Sequence, residues 1–176
     1  MKTKTENILM VLKVLALLAG IGFSIQCGSQ ILSLVAGFIN SDWSKHVYDV
    51  NQDLFSIREH NTWYYVYAMS LIIAVSALNA LIWYLVFHLL LKLRLTTPFS
   101  IEVEKKLERI SYLLFAVWCI SIIGKGYIRW LSKSTGIHLS GISIGDEYLF
   151  IAGIIYIISQ VFKRGIEIQE ENQLTV

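Results

Sequence analysis

The sequence has little proline and little charge. Pro98 is its single proline, and 16% of its 176 residues are charged, against about 25% in soluble domains. In place of charge, the chain carries 55% hydrophobic residues and a mean hydropathy of +0.58. This balance is typical of a protein that has lipid as part of its solvent. A net charge of +2 is too small for a nucleic-acid-binding surface, which needs clustered basic residues.

Cysteine is equally scarce. Cys27 and Cys119 stand far apart in apolar runs, so they form neither a disulfide framework nor a metal-binding motif. Both are predicted to pack as buried thiols, the usual state of free cysteine.

The N-terminus has Lys2 and Lys4 ahead of an apolar run from Ile8, a pattern that signal peptides share. Lys13 interrupts that run, which then continues hydrophobic to Phe38, well beyond a short signal core. We therefore expect a retained membrane anchor rather than a cleaved leader.

Four segments are apolar over the roughly 20 residues that a helix needs to cross a hydrocarbon core of about 30 Å. They predict helices at about 8–38, 64–91, 100–131 and 147–164. Open β-structure is disfavoured inside lipid because its edges leave backbone groups without hydrogen bonds. The predicted fold is therefore all-α, a single transmembrane domain over residues 1–176 built as a polytopic membrane four-helix bundle.

Basic residues predict the orientation of these helices. Most of the 15 lysines and arginines lie in the N-terminal tail, the loop between the second and third helices, and the C-terminal tail. Cytoplasmic segments carry the excess of positive charge. Both termini and the second loop are therefore expected in the cytoplasm.

The first outer loop, 40–63, has apolar residues at helical spacing from Val47 to Ile57. This predicts an amphipathic helix that lies on the outer membrane surface. His46, Asp49 and Asp53 can share a polar face of that helix, where they are candidate ligands for a divalent metal. A solvated polar face without metal is the favoured interpretation and metal binding is the alternative, and no cofactor is predicted for the chain.

Polar side chains collect in the outer half of the predicted bundle. Ionisable residues at membrane depth are costly and usually face the bundle interior or a water-filled cavity, which predicts a polar pocket that opens outward. The alternative is a structural salt-bridge clamp, with Lys125 reaching to the interface. The six residues of this predicted outer polar pocket are Gln26, Gln30, Lys125, Arg129, Asp146 and Glu147.

Small residues recur every four positions along the first helix, at Ala16, Gly20, Ser24 and Gly28. Such a stripe lets another helix backbone approach closely within lipid. Packing inside the same chain is favoured over a dimer seam, and a homo-oligomer remains the alternative. Asn79, in the middle of the second helix, is expected to hydrogen-bond to a neighbouring helix.

Two cytoplasmic stretches resemble a known family. The first is Thr97-Pro98-Phe99-Ser100, a turn with Ser100 as a helix N-cap, followed by Lys105-Lys106-Leu107-Glu108-Arg109-Ile110. The second runs from Glu147 through Phe162-Lys163-Arg164-Gly165 to the C-terminal Gln169-Glu170-Glu171-Asn172-Gln173-Leu174-Thr175-Val176. Both are similar to segments of a bacterial family of unknown function, domain-of-unknown-function family 2975. The resemblance implies a four-helix protein of the bacterial cytoplasmic membrane, often encoded beside a small helix-turn-helix regulator, and it implies no catalytic residues.

The sequence contains no zincin pair, phosphate-binding glycine loop or serine elbow, so no enzyme is expected. The leading hypothesis is a sensory or regulatory membrane protein that holds a cytoplasmic partner. A ligand bound in the outer pocket would change the strength of that interaction. The alternative is a small-molecule or ion transporter or channel subunit that uses this pocket as its substrate site. A lipid-processing enzyme is less favoured than either. The predicted cytoplasmic docking residues are Pro98, Phe99, Lys105, Lys106, Arg109, Arg164, Gly165 and Glu170.

Overall fold

The structure is a computed structural model that describes residues 4–39, 57–93, 99–136 and 147–174. Its four long helices are α1 (Lys4–Ile39), α2 (Thr62–Lys92), α3 (Ile101–Thr135) and α4 (Glu147–Leu174). A short helical turn at 57–60 precedes α2. All four long helices are long and apolar enough to span a membrane. The prediction of an all-α protein with four membrane helices is therefore confirmed.

The helix ends follow local capping chemistry. The side chain of Asn61 accepts a hydrogen bond from the backbone N–H of Trp63 and so caps α2. Ser100 accepts one from the backbone N–H of Val103 at 3.4 Å, which confirms the N-cap predicted for α3. Gly136 ends α3 in the left-handed region with φ 72°, a conformation that glycine adopts without steric cost.

The helices pack in chain order, α1 on α2, α2 on α3 and α3 on α4. One core cluster joins Tyr65, Met69 and Leu131 near the start of α2 and the end of α3. A second cluster joins Ile82, Leu114 and Ala152, and so ties α2, α3 and α4 together. Among the described residues, no comparable interface connects α1 to α4. The four helices therefore form an open arrangement with a gap between the first and the last.

The small-residue stripe of α1 lies partly against α2. Ala16 is 2% exposed, and a Cβ added at Gly20 would lie 3.7 Å from the Cβ of Trp83. Ser24 turns its hydroxyl back to the carbonyl oxygen of Gly20 at 2.7 Å. A Cβ added at Gly28 would meet nothing within 4 Å. At Ala16 and Gly20, the stripe serves packing within the chain.

The fourth helix is longer than its apolar run. It continues to Leu174, beyond the end predicted near residue 164. The added turns are polar, so hydropathy alone could not indicate them. Arg164 and Glu167, which sit on one helix face, are joined by an ion pair of 2.7 Å, a spacing that supports helix formation.

Candidate intramembrane cleft and inner seat

A cavity of about 610 Å³ lies between the four helices. We call it the cleft. It lies where the described parts of α1 and α4 share no interface comparable to those between successive helices. Each of the four helices contributes to its walls. The lining residues are Phe23, Asn79, Ile82, Trp83, Val86, Ile110, Leu114, Glu147, Tyr148, Ile151 and Ile155.

The polar groups of the cleft gather at one end of it. The hydroxyl of Tyr148 donates a hydrogen bond to the side-chain oxygen of Asn79 at 3.3 Å. Asn79 is buried, Tyr148 is half-buried, and the neighbouring Glu147 is exposed. This bond joins the middle of α2 to the first turn of α4. It is a cross-helix contact of the kind expected for Asn79.

The polar end lies deep along α2. From the helix rise, Asn79 is about 20 Å from Lys92 and about 26 Å from Thr62 along the axis. Because Tyr148 contacts Asn79, α4 begins beside the middle of α2 rather than beside its end. Glu147, the first residue of α4, therefore lies beside the middle of α2.

Most of the predicted outer polar pocket lies elsewhere. Gln26 and Arg129 are exposed, Gln30 and Lys125 are half-buried, and Asp146 lies outside the described residues. None of these five is among the described lining residues of the cleft, whereas Glu147 is. The Oε1 atom of Gln30 is buried without a hydrogen-bond partner. The sequence analysis missed Tyr148, for which its position beside Glu147 at the start of an apolar run was the available signal.

The opposite end of the apolar part of α4 holds an aromatic ring. The rings of Phe99 and Phe162 have centroids 5.2 Å apart. A Cβ added at Gly165 would lie 2.7 Å from Cδ1 of Phe99, so the ring rests directly on the glycine. We call this contact of Phe99, Phe162 and Gly165 the inner seat. A larger residue at position 165 would therefore need the ring of Phe99 to shift.

Ion pairs join the chain segments around the inner seat. Glu102 lies 3.4 Å from Lys92 and 3.4 Å from Lys106, and so connects the end of α2 to the start of α3. The other charged docking residues, Lys105, Arg109, Arg164 and Glu170, are exposed. Pro98 lies outside the described residues. The predicted docking set therefore divides into an internal contact, Phe99 with Gly165, and a charged surface around it.

One continuous helix connects the cleft to the inner seat. Glu147 and Tyr148 line the cleft, and Gly165 contacts Phe99 on the same helix. The axial distance from Glu147 to Gly165 is about 27 Å by helix rise. No loop therefore separates the cleft from the inner seat.

The predicted metal ligands cannot be placed in the fold. His46, Asp49 and Asp53 lie outside the described residues, as does most of the predicted amphipathic helix of the first outer loop. In the described ranges, no group of three or more His, Cys, Asp or Glu side chains is arranged to hold a metal ion.

The fold and the cleft define a multi-pass membrane protein made of helices. A family model described as "Protein of unknown function (DUF2975)" matches residues 50–176, which is more than half of the chain. The chain belongs to this family. The match includes α2, α3 and α4, whereas α1 precedes it. Comparisons with curated proteins and with solved structures found no match.

Proposed function

We propose that the chain is a non-enzymatic membrane regulator that binds a small, mainly apolar molecule in the cleft. Binding of this molecule changes the position of α4, and α4 in turn changes the interaction with a cytoplasmic partner. The observation that carries the proposal is the position of α4. Its first turn lines the cleft, and its later part forms the inner seat with Phe99.

The cleft has the character of a ligand site. Small-molecule sites are mostly apolar, enclose about 300–1,000 Å³ and carry a few placed polar groups. The cleft has this size, and Asn79, Glu147 and Tyr148 supply the polar groups. Bound ligand shifts a protein between two conformations only if it binds one of them more tightly. We propose that the two conformations differ in the position of α4 beside the cleft.

The inner seat lies next to the charged surface expected to face the cytoplasm. In the proposed orientation, both termini and the loop between α2 and α3 are cytoplasmic, as the distribution of basic residues predicts. Exposed Lys105, Arg109, Arg164 and Glu170 would contact the partner. The family resemblance implies a helix-turn-helix regulator as that partner and the bacterial cytoplasmic membrane as the location.

Co-purification tests the proposal. A helix-turn-helix regulator co-expressed with the full chain is expected to purify with it from detergent extracts, and to be lost when residues 164–176 are removed. Ile151→Trp, which places bulk in the cleft, is expected to change the recovered amount of regulator while the membrane protein still reaches the membrane. Equal recovery of the regulator with the full chain, the chain without residues 164–176 and the Ile151→Trp chain would rule out coupling through α4.

A transporter or channel subunit is the second candidate. It is supported by Glu147, since ionisable side chains at membrane depth often mark substrate or ion pathways. Uptake into proteoliposomes that is lost in Glu147→Gln would favour it. Because Lys125 is outside the described lining of the cleft, Lys125→Ala separates a pathway through the cleft from one through the predicted outer pocket.

A further inference from the structure

We infer that the cleft selects amphiphiles with a cationic head group, with the head beside Glu147 and the apolar chain along Ile151 and Ile155. The inference rests on the proposed ligand-binding role of the cleft and assigns the chemical class of its ligand. A preference for a cationic head group would distinguish the cleft from a general groove for lipid chains.

The distribution of polarity within the cleft fixes the direction of the ligand. Glu147, Tyr148 and Asn79 form one end, and the walls beyond them are apolar, with Val86, Ile110 and Ile155 at the other end. From Glu147 to Ile155 the helix rises about 12 Å. A molecule with one polar head and a short apolar chain matches this arrangement, whereas a molecule that is polar at both ends does not.

The charge at the polar end fixes the sign of the head group. A carboxylate at membrane depth is costly unless it has a counter-charge or water. Within the described residues, Glu147 forms no ion pair, whereas the ion pairs of Glu102 and of Arg164 with Glu167 lie at the opposite end of the apolar part of α4. Asn79 and Tyr148 are neutral and already bonded to each other. An ammonium or guanidinium head would supply the counter-charge, and an anionic head would be repelled.

The open side of the cleft explains how such a ligand enters. No α1–α4 interface closes it among the described residues, and Ile151 at its edge is 41% exposed. An amphiphile already dissolved in the bilayer would reach the cleft laterally and would lose little contact with lipid chains on entry. Selectivity must then come mainly from the head group, since the apolar chain gains little on leaving lipid.

Photo-crosslinking tests the inference with the full chain in phosphatidylcholine nanodiscs. The probes are decylamine and decanoate, each carrying a diazirine at the end of its chain. Decylamine is expected to label the cleft walls on α2, α3 or α4 and to be displaced by decyltrimethylammonium. Glu147→Gln is expected to lower that labelling about tenfold, the effect of losing one charge-assisted contact. Glu59→Gln, an exposed carboxylate in the helical turn before α2 and outside the described lining of the cleft, is the matched control and should label as the wild type does.

The outcomes distinguish the inferred preference for a cationic head group from the proposed ligand-binding role of the cleft. Equal labelling of the cleft by both probes, unchanged in Glu147→Gln, would overturn the cationic preference and leave the cleft as a binding site. Absence of labelling in the cleft by either probe would overturn the inference and the proposed ligand site together. A Glu147→Gln chain that still elutes as the wild type from size exclusion shows that lost labelling is not lost folding.

Discussion

The two ends of the apolar part of α4 are held in opposite ways. Its first turn borders a cavity of about 610 Å³, donates a hydrogen bond of 3.3 Å to α2 and packs Tyr148 against the core cluster that includes Ile82. At Gly165, by contrast, an added Cβ would lie 2.7 Å from the ring of Phe99, so the ring would have to shift. One end therefore borders open space, and the other lies against an aromatic ring. The proposed link between a ligand site and a partner surface rests on this difference between the two ends.

The largest expected effect concerns the side of the membrane on which the C-terminal part of α4 and the segment before α2 lie. In a chain with Cys27 and Cys119 replaced by serine, we expect Glu170→Cys to react with a membrane-impermeant maleimide only after the cells are permeabilised. Glu59→Cys, before α2, is expected to react in intact cells. The difference is all-or-none because the reagent does not cross the bilayer. Labelling of Glu170→Cys in intact cells would reverse the proposed orientation and remove the cytoplasmic partner from the inner seat.

The next effect tests the close contact at the inner seat. Gly165→Ala is expected to reduce the free energy of unfolding by about 1 kcal/mol, because overpacking against the ring of Phe99 outweighs the gain in helix propensity. Gly153→Ala on the same helix meets nothing within 4 Å and is expected to be neutral or stabilising by up to about 1 kcal/mol. Reversible unfolding in mixed detergent micelles measures both.

The same substitution in a Phe99→Ala chain shows whether the ring of Phe99 causes the loss of unfolding free energy. In Phe99→Ala chains, the obstacle at Gly165 is absent, so Gly165→Ala is expected to stabilise as Gly153→Ala does. The sign of the effect should therefore reverse between the two backgrounds. A loss of the same size in both would mean that Gly165 is needed for a reason other than Phe99.

The four helices were predictable from the sequence because each rests on a local pattern. Apolar runs indicate the membrane spans, and Ser100 indicates the start of α3 through its cap. The polar last turns of α4 were missed since they follow the apolar run that ends at Phe162. Phe99 and Gly165 were singled out together, but as part of a partner surface rather than as an internal contact. Their contact depends on how α3 and α4 pack, which no local pattern encodes.

The cleft could not be predicted for a similar reason. It lies where the described parts of α1 and α4 share no interface comparable to those between successive helices, a property of helix packing rather than of any one segment. The sequence marked Asn79 and Glu147 as polar residues, but it could not pair α2 with the first turn of α4. Polar side chains at membrane depth can thus be recognised individually, while their partners depend on helix register.

The smallest expected effect is at the open end of α4. Tyr148→Phe removes the hydroxyl that donates to Asn79, and we expect it to lower the free energy of unfolding by about 0.6 kcal/mol, the average for hydrogen bonds between membrane helices. Asn79→Leu should cost a similar amount, and the double variant little more, because each change breaks the same bond. Tyr156→Phe, on an exposed face of the same helix, is the control and should leave stability unchanged. Additive losses in the double variant would mean that the two side chains act separately. The first turn of α4 would then be held by packing rather than by the bond to Asn79, and the contrast between its open and closed ends would depend on the cavity alone.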